Sequence, residues 1–269
     1  MALVFDTANI TAVQRRPIRD LYFLRVVSTG LSFLLFGVVG TLLGIVGVPL
    51  LLAIPGSTAA RRSRVRRMIR LAFRALVGFM NQTGAISYRF SGVKLLGKTG
   101  QLVIANHPSL IDIVLLIAFV PDAACVVKRA AWRNPSMVLA VHTAGYIANV
   151  PTETMIEQAS ALLGTGECLI MFPEGTRTVP DQPAYFHRGA ASVAIRAARV
   201  VTPVFIDVRP AHLSKAVPWY KVPLTRPHYS LSVGSDIDPL PYRDAPPPVA
   251  SRTLNAYFKS CYASMVRTT

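Results

Sequence analysis

Hydrophobic and polar positions follow two periods along this chain, and the switches between them mark its elements. Residues 101–105 form a short apolar run that reads as a strand. It stops at Asn106-His107-Pro108, and a second apolar run over 111–120 starts as a helix. Proline is preorganised for a helix's first turn, so Pro108 marks the join. Downstream the pattern keeps alternating. Strands are predicted over 124–128, 146–150, 168–172, 200–208 and 229–233. Helices are predicted over 135–143, 152–163 (Thr152 as cap, Gly164 as stop), 188–199 and 249–266. Pro203, inside the 200–208 run, hints at an edge strand or a bulge. Residues 88–90 read as one more strand, joined to 101–105 by a Gly-rich turn. This order predicts an α/β fold with a mainly parallel central sheet flanked by helices. Ligands of such sheets sit beyond the carboxyl ends of the strands, where the Asn-His-Pro segment lies.

The first third of the chain reads differently. No charged residue occurs from Val26 to Ala60, a run of 35 residues. At about 1.5 Å per residue, one straight helix of that length would exceed a hydrocarbon core of about 30 Å. Pro49 and Pro55 argue against one straight helix. Either a spanning helix over about 26–48 or a re-entrant helical hairpin fits. Arginines flank both ends, which favours both ends on the cytoplasmic side of an inner or plasma membrane, with the rest of the chain there too. The run is too long and starts too late for a cleaved signal peptide. In the next segment, Val65, Met68, Ile69, Phe73, Leu76 and Met80 fall at helical spacing, with Arg62, Arg66, Arg70 and Arg74 as a stripe four residues apart. This reads as a basic amphipathic helix at a lipid interface. The expected organisation is an N-terminal segment (1–25), a membrane-embedded segment (26–60), an interface helix (61–82) and a catalytic domain (83–269).

Composition supports that division. Apolar residues make up 52%, high for a soluble domain, while the few charges are lopsided: 29 Lys and Arg against 13 Asp and Glu, net +16. An apolar and basic chain suits an anionic membrane surface or acidic partners. Nucleic acid is the competing partner, but the arginine helix lacks the aromatic and base-reading groups that would serve it. Cys125, Cys168 and Cys261 show neither metal nor disulfide spacing, which points to a reducing compartment.

Three segments carry candidate chemistry. Residues 92–99 match the phosphate-loop pattern G-x-x-x-x-G-K-[ST] letter for letter, but Gly100 and a β-like run follow where a helix is required, so this reads as a turn. The second segment is His107 with Asp112. On a continuous helix these would lie about 140° apart. A turn at Pro108 can fold His107 back onto Asp112, and an imidazole with a carboxylate partner is a poised general base. The third is Phe172-Pro173-Glu174-Gly175-Thr176-Arg177, at the end of another predicted strand. Gly175 lets backbone approach a ligand. Arg177 can fork two hydrogen bonds onto a phosphate or carboxylate. Glu174 can lock that guanidinium or hold an acceptor hydroxyl. No G-x-S-x-G elbow is present, which removes the commonest serine hydrolase route.

Asn106-His107-x4-Asp112 and 172–177, with Val201-Thr202-Pro203-Val204 and the 186–190 run, together resemble the 1-acylglycerol-3-phosphate acyltransferase family of lysophospholipid and glycerolipid acyltransferases. The resemblance covers about residues 85–210. It implies that His107 takes a proton from an acceptor hydroxyl, which attacks an acyl thioester directly. Asp112 would fix the tautomer of His107. Glu174 to Arg177 would hold the acceptor, Arg188 would add a basic contact, and Pro203 would help shape the acyl side. It implies membrane lipids as partners, acyl-CoA or acyl carrier protein as thioester co-substrate, and neither a metal nor a bound cofactor. The family's acceptor block ends in Arg where this chain has Asn149, so a related lysolipid, an aminolipid or another hydroxylated lipid stays open as acceptor. A non-catalytic anionic-lipid-binding protein is the alternative of a different class.

Overall fold

A computed structural model describes residues 22–133, 137–150, 153–178, 185–215 and 217–266. Its chain order is α1 (Tyr22–Leu42), a π-helical turn (Leu43–Gly47), α2 (Val48–Ala53), α3 (Thr58–Gln82), β1 (Ser87–Ser91), β2 (Gln101–Ala105), α4 (Asp112–Phe119), β3 (Ala123–Lys128) and α5 (Arg129–Trp132). Then follow α6 (Val138–Thr143), β4 (Ile147–Asn149), α7 (Glu153–Gly164), β5 (Cys168–Met171), α8 (Gly189–Ala197), β6 (Val200–Arg209), β7 (His228–Val233) and α9 (Pro247–Val266).

The seven strands form one sheet in the order β1-β7-β6-β2-β5-β3-β4. The run β6-β2-β5-β3-β4 is parallel, as the alternating pattern predicts. β7 pairs antiparallel with β6, and β1 parallel with β7, so the sheet is mixed at one end. The Gly-rich turn joins β1 to β2 in the chain, but the two strands are not neighbours in the sheet: β7 and β6 lie between them. Residues 92–99 hold a 3-10 turn, and the Gly97 and Lys98 amides donate to the Gln101 side chain. No helix follows, so the turn reading of this segment holds.

β2 and β5 are buried throughout, which is why they read as continuous apolar runs. α4 is buried at six of its eight positions and packs under α3, with Arg74 over the Phe119 ring at 5.7 Å. α7, α8 and α9 pack against one another as a second group. The Tyr262 hydroxyl of α9 donates to the carbonyls of Ile104 (2.8 Å) and Val204 (3.2 Å), pinning the closing helix to the end of β2 and the middle of β6.

Pro203 does not mark an edge, because β6 is interior. The bulge half of that expectation is right. Val201 pairs with Ile237 and Val204 with Val233, so four steps on one side meet three on the other. The extra residue lies in the partner segment between Gly234, whose N–H donates to the Pro203 carbonyl at 2.8 Å, and Ile237.

The N-terminal region is a helix of 32 residues, Tyr22–Ala53, with an 18-residue stretch of mean hydropathy 2.4. Pro49 does not break it, since it sits at the start of α2 just after the π-helical turn. Pro55 does end it, and α3 returns alongside, with Met68 packed on Gly47. The face of α1 turned to the protein is polar: Arg25, Ser28, Thr29 and Ser32 are buried, while Phe23, Leu24, Val27, Leu31, Leu34 and Val38 are exposed. That is the reverse of a helix folded in water.

α3 corrects the reading of its arginine stripe. Arg66 is buried, pairs with Glu167 at 2.6 Å and donates to the Ala144 carbonyl at 2.7 Å. Arg62 pairs with the same Glu167. These two arginines tie α3 to the catalytic domain instead of facing lipid. Arg61, Arg67 and Arg74 are exposed.

Candidate active site

β2 and β5 are adjacent and parallel, with Ile104 beside Met171, so their ends deliver the two motifs side by side. After Ala105 the chain leaves the sheet, and Asn106 ties that exit to β6. Its amide donates to the Ile206 carbonyl (2.7 Å) and accepts from the Ile206 N–H (2.8 Å). Helix α4 starts at Asp112, not at Pro108, so Pro108 belongs to the intervening turn. That turn brings His107 Nδ1 to 2.9 Å from Asp112 Oδ2. The Ser109 N–H donates to the same oxygen at 2.7 Å, so the carboxylate both closes the turn and holds the imidazole.

The pair is unevenly solvated. The Asp112 side chain is fully buried and that of His107 is 16% exposed. Burial pushes the Asp112 carboxyl above its usual range, against the opposing pull of His107 and of the Ser109 N–H, while the Glu174 charge adds to the rise. The His107 ring stacks on Phe172, 4.1 Å between centroids and 22° between planes. With Nδ1 on Asp112, the remaining nitrogen, Nε2, is the one available to a substrate proton.

The second motif does something that sequence did not disclose. Glu174 does not lock Arg177. Its Oε1 accepts from the backbone N–H of His107 at 2.9 Å, and both its oxygens accept from the Thr178 hydroxyl. Thr178 N–H in turn donates to the His107 carbonyl at 2.7 Å. Glu174 and Thr178 therefore grip the His107 backbone from both sides. Arg177 donates through Nη1 to the carbonyls of Leu213 (2.9 Å) and Ser214 (3.3 Å). The Leu213 carbonyl also accepts from Leu110 N–H at 3.1 Å, so one peptide group links both motifs. Leu213 has φ 52°, a left-handed conformation uncommon for leucine.

Gly175 has φ 65°, and a Cβ there would meet His187 Cδ2 at 3.3 Å. Asn149, at the end of β4, donates to the Gly175 carbonyl at 3.0 Å, so it braces the second motif from two strands away. Thr176 and Arg188 are exposed, Arg188 at the N-terminus of α8. Pro203 is buried within β6, with its ring near Gly234. Of the residues singled out in the sequence, His107, Asp112, Glu174, Gly175, Arg177 and Asn149 join through direct contacts or shared partners. Among the described residues, no side-chain hydrogen bond or ion pair links Thr176, Arg188 or Pro203 to them.

Sequence reasoning missed Ser109, Thr178, His212 and Tyr229. The Tyr229 hydroxyl lies 2.8 Å from Ser109 Oγ and 3.0 Å from His212 Nδ1, all of them buried. Burial, aided by the Arg25 charge, lowers His212 to about 4. Nothing local in the sequence announces this chain of contacts, because Tyr229 comes from β7, two strands beyond β2.

A His–Asp pair at one strand end and a Glu-Gly-Thr-Arg turn at the next stand together beyond the carboxyl ends of a mainly parallel sheet, where ligands of α/β folds sit. Residues 87–207 match the family model described as Acyltransferase. The chain is 24% identical over 149 residues to a 1-acyl-sn-glycerol-3-phosphate acyltransferase of Pseudomonas aeruginosa, covering 53% of this chain and 58% of that protein. It is 29% identical over 106 residues to a protein of the same description from Chlamydomonas reinhardtii, covering 38% and 32%. The chain thus spans less than two thirds of these curated relatives. The crystal structure of the 1-acyl-sn-glycerophosphate acyltransferase PlsC of Thermotoga maritima superposes with a TM-score of 0.69 at 21% identity, covering 91% of this chain and 97% of that one. That likeness shows a shared fold.

Proposed function

We propose that the protein is an O-acyltransferase that moves a fatty acyl group from an acyl thioester to a hydroxyl of a lysophospholipid such as 1-acylglycerol-3-phosphate. The observation that carries this reading is the His107–Asp112 pair, with one ring nitrogen bound and the other left for substrate. His107 Nε2 removes the proton of the acceptor hydroxyl as its oxygen bonds to the thioester carbonyl carbon. Asp112 holds the tautomer and stabilises the imidazolium. The tetrahedral intermediate then collapses, the carbon–sulfur bond breaks, and the imidazolium proton passes to the departing thiolate. The products are an ester and a free thiol, and no acyl-enzyme forms. The thioester is carried by coenzyme A or by acyl carrier protein, and the net charge of +16 suits either anionic carrier.

Arg177 stands at the acceptor side. Among the described residues its contacts run through Nη1 alone, which leaves Nη2 and Nε for a phosphate. Asn149 contributes no charge there, so a related lysolipid, an aminolipid or another hydroxylated lipid remains a second class of acceptor. The outward-facing apolar side of α1 supports a membrane location. The exposed Arg61 and Arg67 support a cytoplasmic, anionic leaflet.

A labelled acyl thioester supplied to the reconstituted chain with a panel of lysolipids tests the reading. Labelled diacylglycerol-3-phosphate formed from 1-acylglycerol-3-phosphate supports it. Label entering a different lipid moves the assignment to that acceptor. No transfer to any acceptor from either carrier would leave the non-catalytic lipid-binding alternative.

A further inference from the structure

Between β6 and β7 the chain projects a segment, 217–224, that the acyl-transfer chemistry does not use. It is rich in exposed apolar side chains: Trp219 is 47% exposed, Tyr220 56% and Leu224 78%. Trp219 and Tyr220 touch edge to face, with centroids 5.9 Å apart. The exposed Lys215 and Lys221 flank these rings. Indole and phenol rings beside lysines are the groups that settle at the headgroup level of a bilayer.

The segment is fixed in place. Arg25, on the buried polar face of α1, donates to the carbonyls of Pro223 (3.0 Å) and Leu224. Trp219 lies 5.4 Å from the Phe33 ring between centroids and packs against Gly30. Its exposed apolar surface therefore runs on without a break from the outward face of α1. At its other end, the Val217 N–H donates to the Ser214 carbonyl, which also accepts from Arg177.

We infer that residues 217–224 form a second membrane contact, which sits at the headgroup level of an anionic leaflet beside α1 and sets the height of Arg177 above that leaflet. Continuity with the apolar face of α1 and the flanking lysines argue for a lipid surface as the occupant. The inference rests on the membrane reading of α1. It adds that the catalytic domain itself is seated, at a point three residues from a carbonyl that Arg177 grips.

The test uses tryptophan fluorescence of the full chain in proteoliposomes of phosphatidylglycerol and phosphatidylethanolamine. The chain has two tryptophans, so the difference between wild type and Trp219→Phe isolates Trp219 without disturbing Trp132. Adding Leu34→Trp to the Trp219→Phe chain reports on the apolar face of α1. The expected result is that brominated lipids quench the Trp219 signal at least twofold, that aqueous iodide does not reach it, and that the Leu34→Trp signal is quenched as well. Quenching of Leu34→Trp with a Trp219 signal open to iodide and insensitive to brominated lipid would overturn the second contact while leaving α1 embedded. Insensitivity of both to brominated lipid would overturn the membrane reading and this inference with it. Should Trp219→Phe misfold, Tyr220→Trp, read as an added signal over wild type, carries the same expectation.

Discussion

The ends of β2 and β5 carry charged residues of similar kinds, yet put them to different uses. At the β2 end the two side chains face each other: Asp112 is fully buried and grips His107 Nδ1 at 2.9 Å, which leaves Nε2 outside that bond. At the β5 end the charged groups grip backbone: Glu174 takes the His107 N–H, and Arg177 takes the carbonyls of Leu213 and Ser214. One end is the proposed reactive pair and the other is largely its frame. A motif letter therefore says little about role until the partner of its side chain is known. The same comparison separates what should fail in each half: rate at the β2 end, stability together with rate at the β5 end.

The largest effect belongs to His107→Ala. Removing the base should cost about 10²–10⁴-fold in acyl-transfer rate, with a thermal unfolding midpoint close to wild type, measured on the same reconstituted preparation. Asp112→Asn should cost about as much, through loss of the correct imidazole tautomer. Its effect on stability has the opposite sign. Because burial raises the carboxyl pKa, the folded chain holds a proton that the unfolded chain has already released. Folding stability therefore falls as pH climbs from the ordinary carboxylate value through the raised one. Asp112→Asn should remove that fall, which denaturant unfolding at a series of pH values would detect.

Glu174→Ala should act on both observables. It removes a buried acceptor from the His107 amide and the Thr178 hydroxyl, a loss of about 1.5–3 kcal/mol in denaturant unfolding, and activity should drop with it. A Glu174→Ala chain of unchanged stability would break the comparison. Tyr229→Phe should cost about 1–3 kcal/mol, by leaving Ser109 and His212 without their shared hydroxyl, with less than tenfold in rate. The smallest effect is His212→Gln. Since His212 is held near 4, the unfolded chain binds its proton first as pH falls, so this group makes stability rise with pH between about 4 and its ordinary value of 6.5. The variant should flatten that slope, read from unfolding midpoints across the window.

Much of the reactive half was legible because its determinants are local. The strand, the turn at Pro108 and the helix run over 19 residues of sequence, Gln101 to Phe119, and the His107–Asp112 contact follows once the turn is granted. The frame was not legible, because each of its bonds joins distant segments. Glu174 finds an amide 67 positions away, Tyr229 a hydroxyl 120 positions away, and Asn149 a carbonyl in the turn that follows a non-adjacent strand. Sheet order was lost for the same reason, since nothing in residues 88–90 reveals that their partner is β7. Pro203 was half legible: a proline announces an irregularity, but the one-residue slip that accommodates it lies in the partner segment. The arginine stripe misled because spacing fixes a helix face without saying what that face meets, and Glu167 waits for Arg62 and Arg66. On α1 the reversed pattern, polar inward and apolar outward, emerges only when the 217–224 segment is seen packed against it.

The central claim is direct transfer from thioester to hydroxyl with His107 as base. Its sharpest measurement is thiol release from an acyl thioester by the reconstituted chain, with and without lysophospholipid, alongside intact-protein mass spectrometry. The account predicts release only when the acceptor is present, matched mole for mole by diacyl product, absent in His107→Ala, and with no mass added to the protein. A burst of thiol on donor alone, with an acyl group covalently attached to the chain, would contradict it.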